Sequence, residues 1–186
     1  MCSRLVLYFF LEKGADKVKK LAILNRDKTK RNSDPSGSYD SEEMDLILND
    51  VKSSRKVQEM RSFIQHGKVT TYEHCENVAR LSYSINKKLS LHSDLYVLLV
   101  GAMLHDFYLY DWHNYDNGEH LLHGFTHPAA ASANAKKYFN IDDKTKQVIS
   151  THMWPFNPVK IPTSREGWIV CIADKCVSLH ETIFRR

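Results

Sequence analysis

Two places in this chain put ionisable groups where an apolar pattern is otherwise unbroken. His105-Asp106 directly follows Val97-Leu98-Leu99-Val100-Gly101-Ala102-Met103-Leu104, and Asp174 directly follows Ile169-Val170-Cys171-Ile172-Ala173. A carboxylate beside a buried run is costly unless a cation or hydrogen bonds compensate it. The same anomaly on two separate segments points to one shared cation. Three histidines stand near expected helix ends: His74 just after a cap, His127 before Pro128, and His152 before Trp154-Pro155. Helix ends meet at a rim of a bundle, where ligands from different helices can converge. Imidazole and carboxylate donors suit Fe, Mn, Co, Ni or Zn. The adjacent pair His105-Asp106 can serve two ions if the carboxylate bridges, because each of its oxygens can bind one.

The elements that must position these groups read as helices throughout. Glu42 to Val51 and Arg55 to Gln65 are amphipathic. Thr70-Thr71-Tyr72-Glu73 has the spacing of a capping box, and Cys75, Val78, Ala79, Leu81, Ile85 and Leu89 continue a helix behind it. Ser93 can cap the next helix, where Leu95 to Leu104 is apolar on nearly every side and so belongs at the centre of the domain. His127-Pro128 opens a helix with proline in its first turn, running to Phe139. Asp142 starts another that ends near Trp154-Pro155. Thr163-Ser164-Arg165-Glu166 is a second capping-box match, ahead of the last helix. No run shows persuasive strand alternation. The fold class is therefore all-α, a bundle of about six or seven helices, with residues 41–186 as the domain and residues 1–40 as a basic N-terminal helical segment and linker.

The order H…HD…H…H…D, carried by His74, His105-Asp106, His127, His152 and Asp174, resembles that of the HD-domain superfamily of metal-dependent phosphohydrolases, in its dinuclear subgroup. The resemblance covers about Arg55 to Ile183 and implies an all-α HD-domain bundle. It implies that His74, His105, Asp106 and Asp174 hold a first metal, that Asp106 bridges, and that His127 and His152 complete a second. The cofactors are then two divalent transition-metal ions. Many such enzymes carry a lysine a few residues after the HD pair, whereas this chain has Phe107-Tyr108-Leu109-Tyr110-Asp111-Trp112-His113. Lys175, beside Asp174, is a substitute for that cation, although a neighbouring position on a helix turns it about 100° away.

The expected reaction is hydrolysis of a small phosphoester or nucleotide by a metal-bound hydroxide, with Asp106 or Asp174 accepting the proton. The stretch Phe107 to Thr126 lies between ligand-bearing segments and could form the pocket, with His123, Tyr110, Trp112 and Lys175 as candidates to face substrate. Two alternatives use the same residues: an HD-type di-iron oxygenase, which consumes dioxygen, and a catalytically silent ligand-binding or sensor module.

Composition bounds the partners. The chain has 186 residues, 42% hydrophobic and 26% charged, with a net charge of +4. Residues 1–31 hold nine Lys/Arg against three Asp/Glu, or +6, which leaves −2 for the remainder. The basic excess thus sits apart from the expected site, and no basic-aromatic stripe accompanies that site, which argues against nucleic acid. The apolar run Leu5 to Leu11 is too short to span a bilayer and has no clear cleavage site behind it. Cys2, Cys75, Cys171 and Cys176 form no C-x-x-C pair, so free thiols and a cytoplasmic location are expected. The helical surface together with residues 1–28 could support a homodimer.

Overall fold

The computed structural model describes residues 38–112 and 123–184. Among these, helices α1 (Ser38–Lys52), α2 (Arg55–Gln58), α3 (Thr71–Lys88), α4 (Leu95–Leu104), α5 (His123–Phe139), α6 (Asp143–Thr151) and α7 (Arg165–Phe184) make an all-α bundle. A two-stranded antiparallel hairpin, β1 (Ile64–His66) and β2 (Val69–Thr70), leads into α3. The basic segment 1–37 and positions 113–122, with His113 and His120, lie outside the described residues.

α4 is the axis. Eight of its ten residues, Val97 to Leu104, are buried, and it packs on α1, α3, α6 and α7. A helix apolar on all sides has no face to offer to water, so it is enclosed. The core continues through Leu48, Val57, Met60, Val78, Val148, Ile149 and Val170. α4 and α6 come close at Gly101, where an added Cβ would lie 2.8 Å from Val148 Cγ1.

Local signals set most boundaries. Thr70 and Glu73 form the reciprocal capping box, with Glu73 N–H on Thr70 Oγ1 at 3.2 Å and Thr70 N–H on Glu73 Oε2 at 3.0 Å. Asp142 caps α6 by accepting from Thr145 N–H at 2.7 Å. Some boundaries differ from the sequence reading. α4 is capped by Asp94, which accepts from Tyr96 and Val97 N–H, rather than by Ser93. The capping hydroxyl at α7 is Ser164, bonded to Gly167 N–H at 3.0 Å, because the Glu166 carboxylate is turned away to Asp94 N–H and Lys144. α5 begins by His123, so Pro128 lies inside it. α1 begins at Ser38, within the polar stretch read as linker. The segment from Arg55 keeps helical turns only to Ser62 and then becomes β1, so Gln65 is on a strand. No helix among the described residues is long and apolar enough to cross a membrane. Cys75, Cys171 and Cys176 are free thiols.

Candidate metal centre

Five helices deliver six polar side chains to one buried place. His74 comes from the first turn of α3, His105-Asp106 from the end of α4, His127 from α5, His152 from the end of α6, and Asp174 from the middle of α7. None is more than 5% exposed. The Asp106 carboxylate divides them. Its Oδ2 faces His105 Nε2 at 3.4 Å and His74 Nε2 at 3.8 Å. Its Oδ1 faces His127 Nε2 at 3.2 Å and His152 Nε2 at 3.5 Å. Asp174 Oδ1 closes the first group, 3.2 Å from His74 Nε2 and 3.8 Å from His105 Nε2. In the second group the Nε2 atoms of His127 and His152 are 2.9 Å apart.

The outer ring nitrogens fix which inner ones are left for a ligand. His105 and His152 each occupy a helix C-cap, and each Nδ1 lies 2.7 Å from the carbonyl three residues earlier, Ala102 and Ile149. A carbonyl only accepts, so Nδ1 carries the proton and a neutral ring turns the lone pair of Nε2 inward. His74 Nδ1 lies 2.8 Å from Glu181 Oε2. Glu181 is itself 1% exposed and takes a bond from Asn77 Nδ2 at 2.9 Å. A carboxylate behind a ring N–H orients the ring and raises the basicity of its other nitrogen. The Asp106 carboxylate is steadied from the hairpin: Gln65 Nε2 donates to Oδ2 at 2.6 Å, and Tyr108 donates to Gln65 Oε1 at 2.5 Å. Burial and the charge of Asp106 push the Tyr108 phenol up, so it remains a donor.

Charge in the cluster is strongly coupled. Burial opposes a charged His74, but Asp174 and Glu181 outweigh it and hold the imidazolium up to about 10. His105 is raised well above its ordinary value, against burial, chiefly by Asp106. Burial alone would raise the two aspartates. The neighbouring imidazoles, mainly His105 and His127 at Asp106 and His105 and His74 at Asp174, hold both far below the carboxylate range. Burial and the charge on His105 push His152 down to about 3. The two carboxylates thus gather positive charge around themselves in a buried cluster.

The donor set fits divalent ions. An ion with donors at about 2.1 Å holds neighbouring donors about 3.0–3.4 Å apart, from octahedral to tetrahedral arrangement, and both groups fall near that spacing. His74, His105 and Asp174, and likewise His105, Asp106 and His152, each bring ligand atoms within 4.8 Å of one another. His105 Nε2 and Asp106 Oδ1 are buried without a hydrogen bond. Such orphaned atoms, aimed at one another's groups, are what a cation would satisfy.

The remaining sequence candidates lie around this cluster. Lys175 does reach it, despite its neighbour position: Nζ bonds Asp174 Oδ2 at 2.8 Å and the His152 carbonyl at 3.0 Å. Its long stem swings back over the residue before it, so it braces two ligand-bearing segments. The Tyr110 ring lies 4.8 Å from that of Tyr108, with the planes tilted by 43°, Trp112 is half-buried, and the His123 side chain lies outside the described residues. Glu181 and Gln65 were missed by the sequence reading. Glu181 carried a weak signal, seven residues after Asp174 and so on the same helix face. Gln65 carried none.

The family model described as the HD domain matches residues 71–179. No curated protein and no solved structure matches the chain. The family span covers more than half of the chain and contains all six clustered residues, so this protein belongs to the HD-domain superfamily of metal-dependent phosphohydrolases.

Proposed function

We propose that the chain hydrolyses a small phosphoester or nucleotide, using two divalent transition-metal ions. His74, His105, Asp106 and Asp174 would hold one ion, and Asp106, His127 and His152 the other. The observation that carries this reading is the split of the Asp106 oxygens, Oδ2 toward His74 and His105 and Oδ1 toward His127 and His152. When bound, the ions would polarise phosphoryl oxygens and lower the pKa of a coordinated water. The chain's own contribution is placement. Gln65 and Tyr108 hold the plane of the Asp106 carboxylate. Glu181 and the carbonyls of Ala102 and Ile149 keep three imidazoles in one tautomer. Asp174 Oδ2, anchored by Lys175, and Asp106 are the carboxylates near enough to take up a proton.

The test is hydrolysis of a panel of phosphomonoesters, phosphodiesters and nucleotides, read by chromatography of the phosphorylated and dephosphorylated products. The protein is loaded in turn with Mn, Fe, Co, Ni and Zn, with an oxygen electrode alongside and Asp106→Ala as the control. Metal-dependent hydrolysis that is absent from Asp106→Ala is the expected result. Dioxygen consumption without hydrolysis would move the centre to oxidation, and metal binding without either would make it a sensor.

A further inference from the structure

Outside the metal centre, the seam of α5 and α6 and the segment after α6 form a cleft of about 550 Å³. Four of its eight lining residues are lysines, Lys136, Lys137, Lys146 and Lys160, and none is acidic. Four ammonium groups around one cleft repel one another, and no lining carboxylate offsets this. The concentration is local, because residues 32–186 sum to −2. Asp142, one turn before Lys146, is committed to capping α6 through Thr145 N–H. Lys136 donates to the Ile141 carbonyl at 2.7 Å. Among the described residues, the ammonium groups of Lys146 and Lys160 make no hydrogen bond or ion pair.

A neutral donor joins the lysines. Ser132, 4% exposed as a residue, lines the cleft. A serine hydroxyl and four ammonium groups lining one cleft are donors from which phosphate oxygens accept.

We propose that this cleft is a second ligand site, separate from the metal centre, for a small phosphate-rich anion of the nucleoside di- or triphosphate class. Its volume suits a nucleotide-sized ligand. The four lysines line one cleft instead of following a stripe, which fits a compact polyanion and not a nucleic-acid backbone. None of the six clustered residues lines it. The inference therefore stands whether or not the metal centre hydrolyses phosphoesters.

Calorimetric titration of the full chain as purified, with inorganic tripolyphosphate and with ATP at low salt, tests the site. Lys146→Gln/Lys160→Gln, Ser132→Ala and Asp106→Asn serve as variants, each checked for folding by circular dichroism. A binding event is expected that weakens with salt, falls about tenfold or more in the double lysine variant, falls measurably in Ser132→Ala and persists in Asp106→Asn. The proposal is overturned if no binding appears at about millimolar ligand, the weak end of specific association. It is equally overturned if all binding survives the double lysine variant or vanishes in Asp106→Asn, which would place the anion at the metal centre.

Discussion

Asp106 carries more of the centre than any other side chain, because each of its oxygens faces a different pair of imidazoles. Asp106→Ala should therefore remove both ions, and elemental analysis should fall from about two per chain to well below one. Retention of both would break the bridging assignment. Glu181 acts one step further out, through His74. Glu181→Ala should weaken metal binding about 10- to 100-fold, the usual cost of losing a partner behind a ligating histidine. Glu181→Gln, whose amide oxygen can still accept from Nδ1, should recover part of it. Nitrogen-15 NMR of the His74 ring should show mixed tautomers in the alanine variant only. Unchanged affinity and an unchanged tautomer would leave Glu181 a packing residue.

At the scale of elements, the centre depends on helices arriving at the right height. Gly101 lets α4 lie against α6, which carries His152. Gly101→Ala would put a Cβ 2.8 Å from Val148 Cγ1, and an overpacked core costs about 1–3 kcal/mol, measurable by urea unfolding. An unaltered midpoint would mean that the two helices separate freely. Glu166 ties α7 to the start of α4, accepting from Asp94 N–H at 2.8 Å and Lys144 Nζ at 3.0 Å. Burial raises this carboxyl, but the backbone N–H groups and Lys144 outweigh it and hold it below its ordinary value of 4.5. A folded-state pKa below the unfolded one gives stability that is present above 4.5 and lost as pH falls through the folded value. Glu166→Gln should accordingly be less stable than wild type near neutral pH, with the gap narrowing below about pH 4.5. A gap independent of pH would remove the carboxylate's charge from the account.

For the whole molecule, the six residues come from five helices between His74 and Asp174, so the unfolded chain holds no assembled site. Metal binding is then coupled to folding. At metal concentrations about 100 times Kd the native state gains about 2.7 kcal/mol, or about 5–10 °C in melting temperature for a chain of this size. Chelation should reverse the shift, and Asp106→Ala should abolish it. Identical melting curves with and without metal would argue against a shared cation.

Much of this was legible locally. A hydrophobic period is a property of neighbours in sequence. The all-α class, the enclosed α4 and the Thr70–Glu73 cap could therefore be read from spacing alone. The out-of-place polar residues His105, Asp106 and Asp174 were visible for the same reason, since an apolar run makes the next charge conspicuous. The Nδ1 bonds of His105 and His152 are also local, each to a carbonyl three residues back. Elsewhere spacing misled. The periodicity of Arg55 to Gln65 gave no sign that β1 would end it, and the cap of α4 fell on Asp94 and not on Ser93. Whether Asp106 splits its oxygens between two groups, whether Gln65 steadies it across 41 residues, and whether Glu181 backs His74 across 107 were decided only in three dimensions. So was the lysine cleft, whose residues share no periodicity that would group them. Spacing along the chain tells which face of a helix a residue occupies, but not which other face it meets. That depends on how whole helices pack, and here the packing around α4 settled it.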